Sequence, residues 1–168
     1  MKDSINLFKE KCINEIEENI IQTVDQYLEA PESMAELVIK VKNAVNRLGC
    51  ILVENILNSL DHGLRTSRER KQEWNIKVTE SRKLLTSMGE IRFSHTLFCD
   101  KTGGESVYLL DELIGIGKDP RMTEDAEALV YLNGAADPYQ RTGRMIAEGA
   151  EVSAQTVMNK VHSLRFSY

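Results

Sequence analysis

The chain has 168 residues, 42% apolar and 28% charged, a globular balance that excludes wholesale disorder. No stretch approaches the roughly 20 continuous apolar residues of a membrane span, and the start lacks the apolar run and cleavage site of a secretory signal. A soluble, cytoplasmic protein is expected. The formal charge of −5 speaks against a nucleic-acid binder on average, but the charge is segregated. Residues 1–36 hold nine acids against three lysines, whereas residues 65–83 hold seven basic residues against three acids. Cys12, Cys50 and Cys99 are far apart, with no Cys-x-x-Cys and no histidine pair at ligand spacing, so no metal and no cofactor is expected.

In chain order, Ile5, Phe8, Cys12, Ile16, Ile20 and Val24 recur at helical spacing and predict an amphipathic helix over residues 3–29. Pro31 interrupts it. Ser33 is placed to cap a second helix running to about Lys71, with a bend or break near Asp61-His62-Gly63 because glycine costs about 1 kcal/mol inside a helix. The period then changes to two: Trp74, Ile76 and Val78 alternate, as do Ile91, Phe93, His95 and Leu97. Turn residues lie at Ser87-Met88-Gly89-Glu90 and Asp100–Gly104, giving a small antiparallel sheet of three or four strands with Glu105–Leu110 as the last.

Helical signals return after Pro120. Thr123 is positioned to cap one helix. Asp137 as N-cap, Pro138 at the first helical position and Gln140 closing a capping box open another, ending at Gly149. A third runs from Ser153 to about Leu164. The fold class is therefore α+β, in three parts: a helical region 1–72, a small sheet 73–117, and a helical region 118–168.

Two short helices around a glycine-containing turn form a helix-turn-helix pattern. On the second, Ala154, Val157, Val161 and Leu164 fall on one face, and Gln155, Asn159 and His162 on the other, with Thr156 and Ser163 beside them and Lys160 at the flank. Gln155, Thr156, Asn159 and Lys160 are thus the candidate base-reading residues, since such side chains bond base edges. Arg141 and Arg144 on the preceding helix are candidate phosphate anchors, as are Arg68, Arg70, Lys71, Arg82 and Lys83 in the basic tract. Short amphipathic helix pairs are common and a charge run is more often a solvated surface, so the pattern alone leaves DNA binding open. No Ser/His/Asp set, Cys/His pair or phosphate loop is found, Gly115-Ile116-Gly117 lacks the setting of a nucleotide fingerprint, and the neighbours Asp111 and Glu112 point apart.

Three blocks carry a family resemblance: Leu85–Phe93, Asp100–Gly103 and Val107–Ile116, followed by Val152–His162, with Arg68-Glu69-Arg70-Lys71 upstream. Together, over about residues 45–164, the chain resembles the N-terminal region of ISLre-type insertion-sequence transposases, a group long known only as an uncharacterised protein family. The resemblance implies a chain that binds double-stranded DNA at insertion-sequence ends, in the cytoplasm and on the nucleoid. It also implies truncation before a ribonuclease-H-like catalytic domain, hence no enzymatic activity of its own. The Leu109-Leu110-Asp111-Glu112 block belongs to the family's non-catalytic region. The hairpin departs from the family around His95–Phe98, where basic and tyrosine residues are usual. The alternative is an oligomerisation module that ignores DNA, self-associates through its N-terminal helices and pairs with full-length transposase.

Overall fold

The structure, a computed structural model, describes residues 2–30, 33–117, 120–134, 138–146 and 152–163; the side chains of 2–9, 11, 144 and 145 lie outside that description. The fold is α+β. Helices α1 (Lys2–Glu29), α2 (Met34–Thr66) and α3 (Arg68–Glu73) precede strands β1 (Trp74–Leu85), β2 (Glu90–Asp100) and β3 (Ser106–Tyr108). Helices α4 (Leu109–Ile114), α5 (Glu124–Gly134), α6 (Tyr139–Met145) and α7 (Ala154–Ser163) follow. The sheet order is β1-β2-β3, and β3 pairs antiparallel with β2 from Leu97↔Tyr108 to Cys99↔Ser106. The chain divides into two compact units, Met1–Lys83 with Arg92–Asp119, and Leu84–Ile91 with Pro120–Tyr168.

In the first unit α1 and α2 form an antiparallel hairpin, held by burial of Cys12, Asn19 and Cys50 and by a 3.3 Å bond from the Asn55 amide to Glu15. Ser33 caps α2 by accepting from the Glu36 amide at 3.3 Å, which leaves one fewer orphan donor at the helix start. The break expected at Gly63 does not occur. The helix continues to Thr66 and ends at Ser67, whose amide bonds the carbonyls of Gly63 and Leu64 and whose hydroxyl starts α3 by accepting from the Arg70 amide. Tertiary bonding on both sides of Gly63, through Asp61 and through Arg70, outweighs glycine's modest helix penalty.

Facing β2, α2 supplies side chains where β3 does not reach. The Arg92 amide donates to Glu54 Oε1 at 2.6 Å, and the Ser94 amide to Asn58 Oδ1 at 2.8 Å. One helical turn on, the buried carboxylate of Asp61 accepts from the Thr96 hydroxyl at 3.0 Å, which also meets the Thr79 hydroxyl at 3.0 Å. Among the described residues, Phe93, Phe98, Leu57 and Leu110 are the buried apolar residues of this unit besides the two cysteines.

The expected strand over Glu105–Leu110 is a correction. Only Ser106–Tyr108 is extended, and Leu109–Ile114 is helical. Asp111 and Glu112 stand in its first turn, where acids are favourable, and Gly115 closes it at φ 71°, a left-handed conformation that suits glycine.

In the second unit the turn joining β1 to β2 carries buried Leu84 and Ile91. Leu85 forms a parallel bridge with Met122, its amide donating to Arg121 O at 3.0 Å and its carbonyl accepting from the Thr123 amide at 2.8 Å. Behind it Met122, Ala126, Val130, Ile146 and Val157 make a core, with Leu85, Tyr139, Val152 and Val161 packed around. Pro138 takes the N-cap position of α6, not the first helical one, and no side chain caps that end. Asp137, Gly149 and Leu164, assigned to helix ends from the sequence, lie outside the described residues.

Candidate nucleic-acid interface

Helix α7 is opened by Ser153, whose hydroxyl accepts from the Thr156 amide at 3.1 Å and whose carbonyl accepts from the Val157 amide at 3.1 Å. Val157 is fully buried and Val161 half-buried, while Gln155, Asn159 and His162 are exposed. The helix therefore has one dry and one wet side. Ala154, expected on the apolar face, is exposed.

Gln155 and Asn159 are joined one turn apart, Nε2 donating to Oδ1 at 2.8 Å, so the two amides form one continuous polar patch. Thr156 is half-buried, its hydroxyl 2.8 Å from that of Ser153. Lys160 is paired with Glu127 of α5. His162 lies 3.2 Å from the Tyr139 hydroxyl, with the rings edge-on. Arg141 is exposed on α6; the Arg144 side chain lies outside the described residues.

A residue that pattern reasoning missed sets the α6–α7 geometry. The Gly143 carbonyl accepts from the Val152 amide at 3.2 Å, and a Cβ at position 143 would stand 2.0 Å from Val152 O. Only glycine permits that approach of α6 to the residues opening α7. The signal was available: an isolated glycine inside a helical run often marks close backbone contact.

The basic tract divides. Arg68, Lys71 and Lys83 are exposed. Arg70 is buried, its guanidinium donating to the carbonyls of Leu64, Arg65 and Trp74 and lying 5.2 Å from the Phe98 ring centre. Arg82 is paired with Asp111, each side chain about nine-tenths buried. Both of these guanidinium groups are engaged within the fold.

Asp111 also faces His95 Nδ1 at 3.5 Å, and the imidazole stacks on Tyr108 at 4.0 Å between centres. The Tyr108 hydroxyl donates to Glu80 at 3.2 Å; burial first, then Glu80, pushes its pKa up. Sequence reading placed His95 on an alternating strand but could not see this set, because its members are up to 31 positions apart (80 to 111). It combines two carboxylates, an imidazole, a guanidinium and a phenol. Among the described residues no three His, Cys, Asp or Glu side chains gather as metal ligands, and no helix is long and apolar enough to cross a membrane.

Helical arms, a three-stranded antiparallel sheet and a compact trio of short helices define an α+β protein with a candidate reading helix. By sequence the chain belongs to UPF0236, an uncharacterised protein family, whose pattern it matches over residues 29–167. UPF0236 protein TTE2489 of Caldanaerobacter subterraneus subsp. tengcongensis is 25% identical over 158 residues, covering 94% of this chain and 34% of that protein. UPF0236 protein TTE0402 of the same organism is 25% identical over 147 residues, covering 88% of this chain and 30% of that protein. The chain thus spans about a third of the length of the curated relatives it matches. No solved structure matches it.

Proposed function

We propose that this chain is the DNA-recognising portion of an insertion-sequence transposase of the ISLre type, with α6 and α7 as a helix-turn-helix and no chemistry of its own. The observation that carries the reading is α7 itself. A buried Val157 side and a wet side of Gln155, Asn159 and His162 sit on a helix clamped to α6 through Gly143 and Val152. That arrangement meets the physical requirement for reading a major groove: a recognition helix held at a fixed angle, presenting amides able to bond adenine bidentately. The resemblance of residues 45–164 to transposase N-terminal regions adds the target, the ends of an insertion sequence, and a working place on the nucleoid in the cytoplasm.

In this reading Gln155, Thr156 and Asn159 read bases, and Gln155 and Asn159 exchange their mutual bond for bonds to a base edge. Lys160 leaves Glu127 for DNA. Arg141 and Arg144 anchor phosphates on this unit, and Arg68, Lys71 and Lys83 are separate candidate phosphate contacts of the first unit.

Fluorescence anisotropy with terminal-repeat and scrambled duplexes tests it. Binding of the terminal repeat is expected to weaken steeply with salt. Asn159→Ala is expected to cost about 1–3 kcal/mol against the preferred site and to relax preference at one or two base pairs. Arg141→Ala should weaken all duplexes alike. Absence of any salt-dependent shift with terminal-repeat DNA overturns the reading.

A further inference from the structure

Each candidate reading side chain of α7 is already bonded within the chain. Gln155 donates to Asn159, Thr156 lies against the Ser153 hydroxyl, and His162 meets the Tyr139 hydroxyl. Lys160 differs from these, because its partner is a full opposite charge on another helix. Its ammonium is ion-paired with the Glu127 carboxylate of α5. The composition of the two helices makes the pairing one-sided. Lys160 is the single lysine or arginine of α7, and α5 carries Glu124, Asp125 and Glu127 in its first turn and no base. Asp125 accepts from the Ser87 amide at 2.9 Å, and Glu127 turns to α7. Position follows from the core. Glu127 stands three residues before Val130 and Lys160 three after Val157, and both valines are fully buried in the same cluster. The pair therefore lies at the rim of that core, with its side chains 27 and 33% exposed, so the ammonium is open to an anion from solvent.

We infer that Glu127 is an internal rival of DNA phosphate for Lys160 and so a built-in brake on the reading helix; the inference rests on the proposed DNA recognition by α6 and α7. The pair is not needed to hold the helices together. Met122, Ala126, Val130 and Val157 already bury against one another, and a partly exposed ion pair adds little to stability. What the pair changes is the use of Lys160. To meet a phosphate, the ammonium must leave a carboxylate, and that carboxylate then stands without its cation beside a polyanion. The ion balance changes as well. When an unpaired lysine neutralises a phosphate, a condensed cation leaves the DNA, and log affinity falls against log salt by about 0.9 for each such contact. When Lys160 leaves Glu127, the bared carboxylate recruits a cation as the phosphate loses one. The two effects offset, so this contact adds almost nothing to the salt slope. Recognition is thereby held weaker, and less salt-dependent, than the cations of the reading site alone imply.

Anisotropy titrations of the full chain with a terminal-repeat duplex, repeated across a series of salt concentrations, test it. Glu127→Gln keeps the length and shape of the side chain and removes its charge, so helical circular dichroism and melting should stay close to wild type. Its affinity should rise roughly three- to fivefold at low salt. Its salt slope should steepen by about 0.9, the share of one unpaired lysine. Adding Lys160→Met to that variant should remove the extra slope. Glu124→Gln, which takes one exposed acid from the same turn, is the control for net charge; affinity should change less than about twofold and the slope should stay as in wild type. If the wild type binds and Glu127→Gln leaves affinity and slope unchanged, or weakens binding as loss of a merely structural pair would, the inference is overturned and DNA recognition stands. If neither chain shifts any duplex, DNA recognition is itself overturned, and this inference with it.

Discussion

The two units solve the problem of burial in opposite ways. The second buries no charged side chain among the described residues: Met122, Ala126, Val130, Ile146 and Val157 form its core, Thr86 and Thr142 are its buried polar residues, and Leu132 is its one large apolar residue strongly exposed. The first buries Asp61, Arg70, His95, Thr96 and Asp111, and leaves a row of valines, leucines and isoleucines on α1 and α2 in water. A small apolar core tolerates apolar swaps of similar volume but not overpacking, whereas a polar interior demands that its groups keep their partners. The second unit should therefore fail through steric change and the first through loss of a partner.

The contrast is broken most severely at Gly143. Gly143→Ala drives a methyl group into the Val152 carbonyl, and because the obstacle is backbone, relief requires α6 and α7 to separate. A loss of about 3 kcal/mol or more is expected, seen as early melting confined to the second unit by hydrogen exchange, with amides of α2 still protected. Asp111→Ala is the counterpart in the first unit. It removes the carboxylate paired with the buried Arg82 guanidinium and should cost about 3 kcal/mol, with exchange rising in β1 and α4 instead. If Asp111→Ala proves neutral in chemical denaturation, the polar interior is not what holds that unit.

Asn58→Ala is milder. It removes the acceptor of the Ser94 amide, and urea unfolding should show about 1–2 kcal/mol lost. The smallest effect is at Asp125. Burial would raise its pKa, but hydrogen bonds from Ser87, both hydroxyl and amide, from Thr123 and from its own amide hold it down to about 2. A depressed carboxyl contributes stability above its ordinary value of 3.8, lost as pH falls from there towards 2. After discounting for exposure the contribution is about 1 kcal/mol. Asp125→Asn should lower the melting temperature at pH 7 and leave it unchanged near pH 2, flattening the acid limb of the stability profile.

What the sequence disclosed follows from how local each cause is. Ser33 and Ser153 were readable as helix starts because a cap acts within three residues, and β2 was readable from the alternation of Ile91, Phe93 and His95. The wet side of α7 was legible in the same way. Leu109 and Leu110 continued the apolar run of β3 and read as strand, although Gly115 six residues on fixes the segment as helix. Arg70 and Arg82 read as surface charge because the groups that hold them, the Leu64 and Trp74 carbonyls and Asp111, are defined only by the fold. Gly143 looked like an ordinary glycine until Val152 was seen against it.

The row of bonds from α2 to β2 has a geometric limit. Four helical residues advance about 6.0 Å, and two strand residues about 6.8 Å, so a helix can serve as a surrogate neighbour only while the two rulers agree. Glu54 with Arg92 and Asn58 with Ser94 are the first two graduations, and both meet backbone amides. The third contact comes after three helical residues instead of four, and there Asp61 meets a hydroxyl, on Thr96, in place of a backbone amide. At the next residue, Leu97, a true strand takes over with Tyr108. The strand β3 thus ends, at Tyr108, opposite the residue that follows the last one α2 holds, so helix and strand divide the edge of β2 between them.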